Sequence, residues 1–160
     1  MAKLTPSQTI GPFYFEALRW GIQATDRPAT GRTVIVSGRV LDVDGAPVDD
    51  ALLEIWQPGF GADAACLPGL QRISTDDAGC FSFRMPGEDA IHFANVTIFA
   101  RGLLRGLFTR VYLGSTDHVP AAVPADRRGT LVARPDPSAS GRYRWDIRLR
   151  GDGETVFFDL

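Results

Sequence analysis

Apolar and polar residues alternate with period two along most of the chain, the spacing that sends successive side chains to opposite faces of a strand. The stretch from Val34 to Gln57 shows it first. Val34, Val36 and Val40 recur on one face, and their β-branched side chains suit a pleated backbone. Asp44-Gly45 is a turn pair, because glycine accepts a positive φ and aspartate bonds to nearby backbone; Pro47 fixes φ where the chain leaves it. Ala51 to Trp56 is a second apolar run, stopped by Pro58-Gly59. The pattern predicts a hairpin-like pair of strands with one face on a core.

Farther along, Leu70–Ser74 and Cys80–Met85 flank Asp77-Ala78-Gly79 as a second hairpin. Phe93–Arg101 sets Asn95, Thr97, Phe99 and Arg101 on one face and Val96, Ile98 and Ala100 on the other. Leu107–Leu113 and Thr130–Ala133 read as strands, with Val119–Arg128 between them as a crossover loop holding one helical turn. The clearest alternation is Arg142–Arg150. Tyr143, Trp145, Ile147 and Leu149 face inward; Arg142, Arg144, Asp146, Arg148 and Arg150 make a wet cationic face. Thr155–Asp159 reads as a last strand.

Residues 1–32 lack sustained periodicity. Turn formers at Thr5–Thr9 and Gly11-Pro12 precede Phe13, Tyr14 and Phe15, which reads as an extended arm with at most one short helix, near Glu16–Gly21. Such an arm packs on its own domain or reaches a partner. About eight short strands between Gly and Pro turns, with no long helical pattern, predict an all-β, antiparallel β-sandwich over 33–160, the arm 1–32 being part of the same domain.

Composition narrows the function classes. At 160 residues the chain can bury a sizeable single core, and 44% hydrophobic with 22% charged residues is a globular balance. A net charge of -2 gives no global field for nucleic acid or anionic membranes. No run approaches the roughly 20 apolar residues of a membrane helix. The segment M-A-K-L-T-P-S-Q lacks a secretion signal's apolar centre, so a cytoplasmic location is the expectation. Cys66 and Cys80 lack C-x-x-C spacing and are expected to be reduced thiols. No phosphate loop or G-x-S-x-G elbow is present, and His92 and His118 have no evident nucleophile partner.

The segment G-R-V-L-D-V-D-G-A-P-V-D-D-A-L-L-E-I-W-Q resembles the opening of the intradiol ring-cleaving dioxygenases. The arm T-P-S-Q-T-I-G-P-F-Y, the pair I-F-A-R-G-L-L-R-G-L-F-T-R-V-Y-L, the segment R-R-G-T-L-V-A-R and the ending G-E-T-V-F-F-D-L are similar to the alpha chain of the two-chain members. Catalytic members hold Fe(III) with two tyrosines and two histidines, the histidines as H-x-H on one strand, where i and i+2 share a face. Aligning Phe99-Ala100-Arg101-Gly102 with the family puts Phe93 and Asn95 at the histidine positions. His92 is one residue off and so on the opposite face. Neither Pro58–Gly69 nor Pro86–Ala90 contains a tyrosine.

The resemblance therefore implies a chain that binds no metal, paired with an iron-binding beta subunit of the same fold that holds the Fe(III), in a larger hetero-oligomer. The substrate pocket would lie between the two chains. It implies pocket roles for Thr9, Gly11, Pro12 and Phe13, with Tyr14 an alternative to Phe13, and for Arg101, whose guanidinium suits a benzoate carboxylate. A surface ion pair is the plainer role for Arg101. The implied reaction inserts both atoms of O2 between the hydroxylated carbons of 3,4-dihydroxybenzoate (protocatechuate), giving 3-carboxy-cis,cis-muconate. Two other readings remain open: a non-catalytic sandwich of the transthyretin or carboxypeptidase-regulatory type, and a self-sufficient dioxygenase with a rearranged iron site using His92, His118 and tyrosines.

Overall fold

The computed structural model describes residues 33–57, 69–87 and 93–159. They form a two-layered β-sandwich of nine strands: β1 (Thr33–Leu41), β2 (Leu52–Trp56), β3 (Leu70–Ser74), β4 (Cys80–Pro86), β5 (Phe93–Phe99), β6 (Leu107–Leu113), β7 (Val132–Pro135), β8 (Arg142–Arg144) and β9 (Ile147–Arg148). The strands join in the order β3-β2-β5-β6-β7-β8-β1-β4, with β9 also on β1. β7 links the two layers, pairing β6 through Val132 and Ala133, then β8 through Arg134 and Pro135. The expected arm, 1–32, lies outside the described residues.

The predicted alternation sets the core. Val34, Val36 and Val40 of β1 face Leu53 and Ile55 of β2, Phe81, Phe83 and Met85 of β4, and Ala94, Val96 and Ile98 of β5, all buried in one cluster. Each fully buried aliphatic side chain contributes about 1.5–3 kcal/mol over its exposed state. Tyr143, Trp145 and Ile147 complete it, with Trp145 edge-on to Phe81 at 6.3 Å between centroids.

Several expectations need correction. β1 and β2 are not a hairpin: β1 pairs β4, β8 and β9, whereas β2 pairs β3 and β5 in the other layer. The Asp44-Gly45 turn is real but reverses the chain only as far as Val48, whose N–H donates to the Val40 carbonyl at 2.9 Å. The sandwich is also mostly rather than wholly antiparallel. β1 runs parallel to β8 and β9, and β6 parallel to β7, which requires the long crossover between β6 and β7. That crossover ends in one 3-10 turn, Arg128–Leu131. Finally, Thr155–Asp159 forms one bridge, Phe108 with Phe158, rather than a strand. Side-chain hydroxyls hold it instead: Thr109 Oγ1 donates to the Val156 carbonyl at 2.7 Å, and the Val156 N–H donates to Thr130 Oγ1 at 3.2 Å.

The Arg142–Arg150 alternation is interrupted but keeps its register. β8 pairs Val36 with Tyr143, β9 pairs Val40 with Ile147, and the intervening Trp145-Asp146 leaves the ladder without slipping. There the Arg39 N–H donates to Asp146 Oδ1 at 2.9 Å, a side chain replacing a backbone acceptor. Gly38 permits this approach: a Cβ on it would lie 1.7 Å from the Trp145 carbonyl oxygen. The two Asp-x-x-Gly turns stack beside it. A Cβ on Gly79, whose φ is 70°, would meet Pro47 and the Val40 carbonyl, each at 2.9 Å.

The expected second hairpin is likewise not a paired one: β3 pairs β2 and β4 pairs β1, and the gap between them is closed by a side chain. Gln71 Oε1 accepts the Arg84 N–H at 3.1 Å and Gln71 Nε2 donates to the Arg84 carbonyl at 2.6 Å, so one amide stands in for a neighbouring strand. The turn joining β7 to β8 is organised by Asp136. Its Oδ1 accepts the Ser138 hydroxyl at 2.6 Å and the Ser138 N–H at 2.9 Å, and its Oδ2 accepts Arg144 Nε at 2.9 Å. The Ser138 hydroxyl, the Ser138 amide and then Arg144 hold this carboxyl far below the usual carboxylate range.

Two outcomes follow. Gly38→Ala forces β1 away from Trp145 and costs about 3 kcal/mol, read as a lower midpoint in urea unfolding. The lowered Asp136 pKa stabilises the fold fully above the unfolded carboxylate value of about 4, and that contribution fades as pH falls below it. Asp136→Asn therefore flattens the acid limb of a melting-temperature profile between about pH 2 and pH 6.

Candidate functional site

The outward face of β5 carries the two positions where the resemblance puts metal ligands. Phe93 and Asn95 share that face with Thr97, while Ala94, Val96 and Ile98 point into the core. Across the ladder, Phe93 pairs with Tyr112 and Asn95 with Arg110. Arg110 fills the space between them. Its Nε donates to Asn95 Oδ1 at 2.9 Å, and its guanidinium carbon lies 4.9 Å from the centre of the Phe93 ring and 5.9 Å from that of Phe158. Phe93 leans on Tyr112, with centroids 5.6 Å apart.

This face is built as a small second core. Tyr112 is buried with Val119, Val123, Leu131 and Val132, and Phe93, Val156 and Phe158 pack against them. The crossover after β6 and the C-terminal segment supply the cover, so β6 is buried on both faces, Val111 inward and Tyr112 outward. The donor set does not fit a ferric ion. Phenylalanine has no lone pair, the Asn95 oxygen is engaged, and a fixed guanidinium stands where a cation would bind. Among the described residues no three His, Cys, Asp or Glu side chains gather as a metal-holding group. His92, Cys66 and the loop residues 58–68 lie outside the described residues; His118 is exposed in the loop after β6.

Arg101 is placed differently from its expected position. β5 ends at Phe99, and Ala100–Leu103 form a tight turn in which the Leu103 N–H donates to the Ala100 carbonyl and Gly102 takes a φ of 86°. Arg101 thus lies just past the strand, opposite Asp50, where the register of β2 and β5 would continue. It sits beyond the end of the strand remote from Phe93, and Asn95 to Phe99 alone spans about 13 Å at an ordinary strand rise. Its Nε donates to Asp50 Oδ2 at 2.8 Å, and its side chain is 69% exposed. The expected ion pair is present, yet it uses one edge of the guanidinium and leaves the terminal fork toward solvent. Thr9, Gly11, Pro12, Phe13 and Tyr14 lie outside the described residues. Sequence reading missed Arg110: the T-R-V-Y-L alternation marks it as outward-facing, but only the pairing of β5 with β6 sets it over Phe93.

The fold and this outer face define a sandwich of the intradiol dioxygenase type. It superposes on the dioxygenase domain of a dioxygenase carbohydrate-binding protein fusion from Streptomyces sp. SirexAA-E with a TM-score of 0.53 at 20% identity, over 79% of this chain and 82% of that one. The 3-chlorocatechol 1,2-dioxygenase of Rhodococcus opacus 1CP gives 0.52 at 22% identity, over 91% of this chain and 67% of that one. At those identities the likeness is one of fold. No family model matches the chain. Sequence relatives are more specific: the protocatechuate 3,4-dioxygenase alpha chain of Burkholderia cepacia is 36% identical over 99% of this chain and 98% of its own length. That of Pseudomonas putida is 30% identical over 98% and 96%. The beta chain of the Burkholderia cepacia enzyme is 29% identical over 78% of this chain and 67% of its own length. The chain belongs to the family of protocatechuate 3,4-dioxygenase alpha chains.

The Arg110 stack has a measurable worth. Arg110→Ala strands the Asn95 oxygen and removes the cation from two rings, costing about 1–3 kcal/mol in chemical denaturation. Arg110→Lys restores charge without the planar fork and recovers only part of that loss.

Proposed function

We propose that this chain is the alpha subunit of a protocatechuate 3,4-dioxygenase, cytoplasmic and inactive alone, whose Fe(III) is held by a partner beta subunit of the same fold. The observation that carries the reading is the outer face of β5. A chain matching the alpha family along nearly its whole length keeps the scaffold, while Phe93 and Asn95, at the two positions the resemblance gives to histidine ligands, are a ring and an amide engaged by Arg110. The metal would then be the partner's, and the redox chemistry with it.

The assembly would add both atoms of O2 to 3,4-dihydroxybenzoate, breaking the bond between the two hydroxylated carbons and leaving a carboxyl on each. The product is 3-carboxy-cis,cis-muconate, and no external reductant is consumed. This chain's part is binding and orientation. Its segment 1–32 would act as a docking arm, with Thr9, Gly11, Pro12 and Phe13 or Tyr14 forming one wall of a pocket between subunits. Arg101 would present its free guanidinium fork to the substrate carboxylate, with Asp50 fixing the other edge of the group. Its position at the end of β5 remote from Phe93 supports a role toward a neighbour rather than toward a metal in this chain. The match to alpha chains includes the arm, which favours this reading over a binding module that would share only the sandwich.

Co-expression with an iron-binding sister chain from the same genome tests it. The pair should take up O2 on protocatechuate and carry iron in proportion to the sister chain; this chain purified alone should do neither. Stoichiometric iron with ring cleavage by the single chain would sink the assignment. Within the active pair, Arg101→Ala should lower kcat/KM about tenfold or more while the complex stays intact in size-exclusion chromatography. Unchanged kinetics would remove Arg101 from the pocket.

A further inference from the structure

The outer face of the other layer carries a cleft that the proposed function does not use. It encloses about 560 Å³ between β1, β7 and β8 and the 3-10 turn, and Arg39, Arg134, Arg142 and Arg144 line it against Asp136 and Asp146. A cleft of this size is ordinary for small ligands. Its charge is not that of the whole molecule: four guanidinium groups face two carboxylates, in a chain of net charge -2.

The register makes the excess costly. Arg134 and Arg144 are direct partners across the antiparallel β7 and β8 pair, where like charges repel. Asp136 is engaged through both oxygens and Asp146 through one. Asp136 binds Ser138 through one oxygen and Arg144 Nε through the other, and Asp146 Oδ1 accepts the Arg39 backbone N–H. Among the described residues no carboxylate meets the guanidinium of Arg134, Arg39 or Arg142. Arg134 Nη2 lies beside Gly129, where a Cβ would be 3.9 Å away, so no side chain at that position covers it. Asp136 meanwhile holds Arg144 by its Nε alone, which fixes the group without using its terminal nitrogens.

We propose that this cleft is a binding site for a small multivalent oxyanion, of the phosphate or polycarboxylate kind, held between the opposed guanidinium groups of Arg134 and Arg144 with Arg142 and Arg39 at its rim. Planar forks pair with either oxyanion in two-pronged fashion, and the bound charge relieves the repulsion between the strands. The site stands independently of the dioxygenase reading.

The full chain, in whatever assembly it forms with its partner, is titrated with inorganic phosphate and separately with citrate, followed by calorimetry and by melting temperature against sodium chloride at matched ionic strength. The expected result is a saturable heat and a rise in Tm beyond the chloride control. A response to phosphate alone, to citrate alone or to both then tells which anion type the cleft takes. Arg134→Gln should raise the apparent Kd at least tenfold and, without anion at low salt, raise Tm by removing the like-charge pair. Arg142→Gln at the rim should weaken binding severalfold, and Arg150→Gln, outside the cleft, should leave it unchanged. No saturable response beyond chloride, an affinity unaltered by Arg134→Gln, or equal weakening by Arg150→Gln overturns the proposal.

Discussion

β1 carries hydrogen-bond ladders on both edges at once, antiparallel to β4 and parallel to β8 and β9, and it does so through a residue with no side chain. At Gly38 the backbone of Trp145 comes within what would be bonding distance of a Cβ, and at Arg39 a carboxylate replaces the missing backbone acceptor. This close approach lets Trp145 turn its ring into the core against Phe81 while its flanking residues remain in register. With β1 fixed on that side, β7 can pass from one layer to the other, and both outer faces acquire their shapes. One becomes the Arg110 stack on β5 and β6; the other becomes the arginine-lined cleft on β7 and β8.

The same scaffold thus separates architecture from chemistry. A sandwich core depends only on volume and apolar surface, so the inward face of β5 retains Ala94, Val96 and Ile98 as any such strand would. The outward face is free to change donors without loss of the fold. Here a guanidinium, two aromatic rings and one amide satisfy each other. Arg101, at the strand's other end, has the opposite character: exposed, oriented by Asp50 on one edge, and open on the other. One end of the strand thus carries an engaged guanidinium and the other an exposed one.

Much of this was legible in the chain. Period-two alternation at Val34–Val40, Phe93–Phe99 and Arg142–Ile147 located the core faces, because a strand has only two sides and one residue decides which is which. The Asp-Gly turns were legible from the chemistry of their residues. That Phe93 and Asn95 share one outward face was legible from the same alternation. Partner strands were not. The Val34–Gln57 stretch suggested a hairpin, but β1 found its neighbours 40 to 110 residues away, and no local propensity encodes such a pairing. The end of β5 was not legible either: the strand stops at Phe99, ahead of the turn in which Gly102 takes a positive φ.

By itself the sequence determined which side chains are buried, where the chain turns, and which residues share the outward face of β5, since these depend on residue type and spacing along one segment. Only the tertiary structure decided that Arg110 would lie over Phe93, that Arg134 would oppose Arg144, and that Gly38 would be the point of closest approach. Those are meetings between distant segments. They are set by how two twisted sheets pack around one core, a property of the assembled volume rather than of any stretch within it.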